Sequence, residues 1–123
     1  MKYLILISGN PEGRAWFKSM PRAAVLEATR GYRQLNEDLA ASGEKITSEA
    51  LADPAEGRRV AVVDGQIMTT DGPYAEAKEF LAGFYLLDCD SMERAIEHAA
   101  KLPEAAFGLV EVRPVMDLSN IGL

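Results

Sequence analysis

The chain is poor in the residue types that most site chemistries need. Its 123 residues include one cysteine, Cys89, and one histidine, His98. A lone thiol cannot close an intrachain disulfide or build a cysteine-based zinc cluster. No His-x-x-Glu or paired-histidine spacing offers zinc another route, and no metal or other cofactor is expected. No apolar run approaches the ~18 residues that a membrane-spanning helix requires. The opening MKYLILISGNPEG lacks a small-residue cleavage site after its short apolar run. It reads as a first strand and not as a secretory leader, which predicts a cytoplasmic protein. A Gly-Lys-Ser/Thr loop and a G-x-G-x-x-G fingerprint are both missing, which sets aside the standard nucleotide cradles. Basic residues are scarce as well: 13 Lys and Arg stand against 19 Asp and Glu, for a net charge of −6. Such a surface repels phosphate backbones, and its one tight basic pair, Arg58-Arg59, is no basic stripe. Nucleic acid is therefore excluded as a partner.

The content that is present is ordinary for a folded domain, with 48% hydrophobic and 26% charged residues in a single-domain length. Lys2 to Ser8 is a β-prone apolar run, broken by SGNPEG. Pro21 favours a helix start, with Ser19 as a cap nearby. Val25, Ala28, Tyr32, Leu35 and Leu39 then recur at helical spacing, Gly31 interrupts at some cost, and Gly43 supplies the stop. EKITSEALAD predicts a weak strand. RRVAVVDGQIMTT predicts a hairpin closed by Asp64-Gly65, a pair suited to a type I′ turn. LAGFYLLDC predicts another strand, with Cys89 as a buried small hydrophobe. Asp90, with Glu93 three residues on, predicts the cap of a second helix. Met92, Ala95, Ile96, Ala99 and Leu102 form the expected buried side of that helix. His98, with Arg94 and Lys101, falls on its solvent side and is a poor candidate for a catalytic base. GLVEVRPVMD is the last strand.

With the hairpin taken as an extension, this order is a split β-α-β arrangement, an α+β ferredoxin-like fold with an antiparallel sheet and an extra central hairpin. The domain spans residues 1–117, and residues 118–123 form a tail. Both helices cover one face of the sheet. Leu4, Leu6, Leu86 and Val112 indicate that neither face is fully polar, so a second copy is expected to bury the open face. The expected partner is the chain itself, as a homodimer.

TTDGPYAEAKEF, residues 69 to 80, raises the functional question. Asp71 suits an Asx turn, Gly72 precedes a proline, and Pro73 has no N–H, so the segment makes a stiff corner. Glu76, Lys78 and Glu79 are expected to face solvent, with Phe80 tucked in. Stiff loops also carry sites. Asp71 is the candidate catalytic proton-transfer group, and Tyr74 beside it is a candidate ligand contact. Arg113, in EVRP, is a candidate counter-charge whose planar fork suits an anionic ligand. An ion pair of Arg113 with Glu111 is the structural alternative, and a purely turn-forming role is the alternative for Asp71.

TDGPYAEAKEFLAGFYLLD resembles the hallmark of the DGPF group within the YCII-related proteins, an Asp-Gly-Pro-Phe followed by Ala-Glu-x-Lys-Glu. MKYLILI, VDGQ and VEVRPVMD are similar to that group too, so the resemblance runs to about Asp117. Tyr74 stands where phenylalanine is usual, and Ala77 where threonine is common. The resemblance implies a dimeric α+β barrel, two protomers with facing sheets, and implies little about activity. Some relatives are proposed to use a His–Asp pair, whose histidine has no counterpart here. The leading expectation is a homodimer with a small pocket for a small polar or anionic molecule, and, if an enzyme, one using Asp71. One alternative is a non-catalytic sensor or protein-interaction module linked to a sigma-factor pathway, since related genes often neighbour sigma factors. The other is a lactone isomerase or dehalogenase-like enzyme.

Overall fold

A computed structural model describes residues 1–72 and 78–123. Along the chain run β1 (Lys2–Gly9), α1 (Pro11–Ser19), α2 (Arg22–Ala28), α3 (Arg30–Ser42) and β2 (Lys45–Ala50). Then come β3 (Arg58–Val63), β4 (Gln66–Asp71), β5 (Phe80–Asp88), α4 (Met92–Ala99) and β6 (Val110–Pro114). Four of these strands form an antiparallel sheet in the order β2-β5-β1-β6, while β3 and β4 pair only with each other. Setting that hairpin aside leaves the split β-α-β connectivity of a ferredoxin-like α+β fold, as the sequence predicts. The described residues form no closed barrel within one chain.

Strand alternation sorts the sheet into two faces. Tyr3, Ile5 and Ile7 of β1 and Tyr85 and Leu87 of β5 are buried on one face, against Leu35 and Leu39 of α3 and Ala95 and Ala99 of α4. Val110 and Val112 pack on this core as well, so Val112 belongs to the helix-covered side. The other face carries Leu4 opposite Leu86 and Leu6 opposite Phe84, all half-buried. Its edges are polar: Arg113 and Glu111 flank the two leucines of β1 on one side, and Thr47 and Glu49 flank β5 on the other. No described element of the same chain packs over this apolar centre. The missing burial forgoes roughly 1 kcal/mol for each of these side chains.

The β3–β4 hairpin turns at Asp64 and Gly65, both with positive φ (51° and 77°), as a type I′ turn demands. Every residue of the two strands is exposed, including Val62 at 69% and Ile67 at 76%. A two-stranded ribbon this apolar gains little from its own chain.

The structure corrects several expectations. SGNPEG is not a simple break, because Asn10 caps α1 by accepting from the Gly13 N–H (2.7 Å) and Pro11 occupies the first turn, where its missing N–H costs nothing. The helix after Pro21 is two helices that part at Thr29, whose hydroxyl donates to the Leu26 carbonyl. Ser19 caps neither of them; its hydroxyl donates back to the Trp16 carbonyl. Gly31 does not interrupt a helix but lies in the first turn of α3, where its bare backbone touches the chain near Lys101. Ser91 and not Asp90 caps α4, accepting from the Arg94 N–H (3.1 Å). With the start fixed there, Ala95, His98, Ala99 and Leu102 face inward at helical spacing, and Ile96 is half exposed. His98 has no exposed surface at all, against the expectation that it faces water. Residues 119–121 close the chain with a 3₁₀ turn. No helix among the described residues is long and apolar enough to cross a membrane.

Candidate functional site

The Asp71–Gly72 corner ends β4. Register pairs Asp71 with Arg58, whose Nε lies 3.4 Å from the carboxylate. Both side chains are well exposed, Asp71 at 85%, so the pair contributes about 0–1 kcal/mol. Gly72 rests on the turn that follows β2: its N–H points at the Gly57 carbonyl (3.5 Å), and a β-carbon there would meet the Pro54 carbonyl at 3.8 Å. That turn is stiff in its own right. Asp53 caps it by accepting from the Ala55 N–H (2.9 Å), and Pro54 fixes its first residue.

Between this turn and the start of β5 lies an open cleft of about 380 Å³, lined by Leu51, Asp53, Pro54, Gly57, Phe80 and Leu81 among others. Arg14 of α1 does not line the cleft but packs against two residues that do, Phe80 and Asp53. Its guanidinium sits 5.3 Å from the centre of the Phe80 ring, within cation–π range, and Nη1 is 2.5 Å from the Asp53 carboxylate. Nη1 is itself buried and, despite that short approach, makes no well-aligned hydrogen bond among the described residues. The Ala55 N–H, and after it Arg14, hold the Asp53 carboxyl below the usual carboxylate range. Gly9 completes the seat of the ring, since a β-carbon there would lie 2.9 Å from the Phe80 edge. The cleft therefore has an apolar floor and a fixed carboxylate, with the Arg14 guanidinium packed against Phe80 and Asp53 at its wall.

The predicted site residues fall as follows. Asp71 stands at the corner, one residue from the contacts that link it to the cleft wall. Tyr74 lies outside the described residues, as do Pro73, Ala75, Glu76 and Ala77. Lys78 and Glu79 are exposed and Phe80 is half-buried, as expected. Arg113 is on the edge strand β6, with its guanidinium forked onto Glu111 at 2.9 and 2.8 Å. The sheet keeps it from Asp71's neighbourhood within one chain. Phe80 at the corner pairs with Gly9, whereas Arg113 pairs with Leu4, about 17 Å along β1 and on the side of the sheet away from β2. The residues missed from the sequence are Arg14, Asp53 and Phe80. A capping signal at Asn10-Pro11 could have revealed the helix that presents Arg14.

A second group of charges joins α3, α4 and the start of β2. Glu44 accepts from Arg94 Nη2 (2.9 Å) and Nε (3.2 Å), and lies 2.9 Å from His98 Nε2. Lys101 Nζ lies 3.4 Å from His98 Nδ1 and 2.5 Å from Asp38. An Nε2–H that donates to Glu44, with Nδ1 accepting from Lys101, satisfies the ring. A base with no exposed surface cannot reach a substrate, so this network serves packing. Cys89 is buried, and burial first, with Glu44 adding to it, pushes its thiol up, which leaves it a small hydrophobe. Among the described residues no group of His, Cys, Asp and Glu could hold a metal.

Comparison with known proteins bears on the chain's family. A protein of Rhizobium meliloti (strain 1021), itself uncharacterised, is 47% identical over 53 residues, a stretch covering 42% of this chain and 43% of that relative. The match therefore spans less than half of the relative's length. The YCII-related domain model matches residues 1–119. On that coverage, the chain belongs to the YCII-related family.

Proposed function

We propose that the protein works as a homodimer whose cleft beside the Asp71 corner binds a small anionic molecule, with Arg14 as the anchor. The carrying observation is the Arg14 guanidinium, held over Phe80 and beside Asp53 with a buried nitrogen that lacks an aligned hydrogen bond among the described residues. An arginine fixed on two sides retains donors for a carboxylate and loses little freedom on binding. Asp71 is the proton-transfer group if chemistry occurs there, and Tyr74 is a ligand contact on the same corner. The exposure of Asp71 in one chain fits proton transfer only with further cover over the corner. Arg113 is a further candidate ligand contact; its register opposite Leu4 on the open face supports a contribution from a seam between two copies.

The second copy is supported by the half-buried Leu4, Leu6, Phe84 and Leu86 and by the exposed Val60, Val62 and Ile67 of the hairpin. Apolar surface of this extent marks an interaction site. The same exposed hairpin favours a second reading, a non-catalytic module that docks another protein. The readings separate on ligand binding. Benzoate, as a probe carboxylate, is expected to raise the melting temperature of the wild-type protein. Arg14→Met is expected to weaken benzoate at least tenfold, the order of one charge-assisted contact, and Asp71→Asn to abolish turnover of any substrate while leaving the fold intact. Absence of any shift across a panel of small carboxylates, or an equal shift in Arg14→Met, overturns the anionic-ligand reading.

A further inference from the structure

A second cleft, of about 280 Å³, opens on the helix-covered side of the sheet between β2, β5 and the beginning of α3. Ile7 and Gly83 line it, with Tyr32 and Tyr85 among its aromatic walls and Ser48 and Ala50 on β2. Register sets Ser48 opposite Tyr85 and Ala50 opposite Gly83, which are helix-side positions, while Glu49 and Phe84, which also border the cleft, belong to the open face. Gly83 cannot be larger, because a β-carbon would lie 2.9 Å from the Glu49 carbonyl.

Both tyrosines are committed as donors. Tyr32 donates to Glu104 Oε2, and Tyr85 donates to Asn36 Oδ1 at 3.0 Å. Each phenol oxygen keeps lone pairs with which to accept. Glu104 Oε1 is buried and has no hydrogen-bond partner among the described residues, and the Glu104 charge acts on Tyr85 as well as Tyr32. Burial first, and then Glu104, pushes the Tyr32 hydroxyl well above the usual phenol range. Among the described residues, no lysine or arginine lines the cleft. A buried carboxylate oxygen lacking a donor, next to two aromatic rings, is an environment short of positive charge.

We propose that the Tyr32–Tyr85 cleft is a binding site for a small organic ammonium ion with a flat apolar body, held against the two rings. The charge of Glu104, which does not line the cleft, acts from behind Tyr32. It is distinct from the Arg14 cleft and has the opposite charge preference. Tyramine is the probe and its carboxylate analogue, 4-hydroxyphenylpropionate, the control. In calorimetric titration of the full chain, tyramine is expected to bind saturably and the control to give no heat assignable to this cleft. Glu104→Gln keeps an acceptor for Tyr32 but removes the charge, and is expected to weaken tyramine at least tenfold while the benzoate response at Arg14 persists. Ala50→Trp, placed on the rim to fill the space without touching Glu104, is expected to block tyramine. Failure of tyramine to bind, or equal binding in both variants, overturns the proposal and leaves the Arg14 reading standing. Loss of the benzoate response alone has the reverse meaning.

Discussion

Replacing Gly31 by alanine is expected to destabilise the protein by about 3 kcal/mol or more, the upper range for forcing atoms into a packed interior. A β-carbon at this position would sit 2.1 Å from the Lys101 carbonyl oxygen and 3.2 Å from Pro103. The first of these atoms is backbone and cannot swing aside, so α3 would have to move off the chain that follows α4. Leu35 and Leu39, further along the same helix, would move with it, and both are fully buried. Elsewhere in a helix glycine costs about 1 kcal/mol relative to alanine, so here the close approach outweighs propensity. Gly43→Ala is the informative comparison. Its φ is +73° with nothing within 4 Å of the added carbon, so only left-handed strain opposes it, about 1 kcal/mol. Thermal melts of the two variants are expected to differ by several degrees, with Gly31→Ala the lower. Equal melting temperatures would show that α3 is not seated where described.

Removing Glu44 is expected to have the next largest effect. Its carboxyl is held at about 2, below the ordinary 4.5, chiefly by the Arg94 guanidinium, with desolvation opposing and His98 assisting. A depressed carboxylate stabilises the fold above its unfolded value and loses that contribution as pH falls towards the folded one. The window is therefore between about 4.5 and 2, and because Arg94 is 40% exposed, solvent screening holds the contribution at neutral pH to about 1–2 kcal/mol. Glu44→Ala would also strand the buried His98 Nε2 without its partner, itself a cost of about 1–3 kcal/mol. Urea melts at pH 7 are expected to show a loss of this order. The variant's stability is expected to fall less steeply than the wild type's from pH 4.5 downwards. A variant that matches the wild type at pH 7, or falls in parallel with it at acid pH, contradicts the assigned network.

The fold was legible because its signals are local. The apolar alternation of Lys2–Gly9 and Phe80–Asp88, the Asp64-Gly65 turn and the glycine stop at Gly43 each state their structure within a few residues. The errors came from choices that local signals leave open. Asp90 and Ser91 are both good caps, and the stripe through Ala95, Ala99 and Leu102 has both Ile96 and His98 beside it, so spacing alone leaves open which of the two is buried. Burying an imidazole became acceptable only because Glu44, distant in sequence, meets it. The candidate site was half legible. The Asp71-Gly72 corner announces itself by its turn chemistry, but Arg14 becomes a site residue only when α1 lays it over Phe80. Arg113 looked available to Asp71 because strand order cannot be counted from one sequence, and the sheet separates them by several residues along β1 and by position across it.

The most direct test of the account is the mass of the purified protein in solution, measured by light scattering behind a sizing column at micromolar concentration. The uncovered apolar centre around Leu6 and Phe84 predicts a species of about twice 13.4 kDa that Phe84→Glu converts to a single chain. A wild-type species of 13.4 kDa that stays soluble and folded would contradict it.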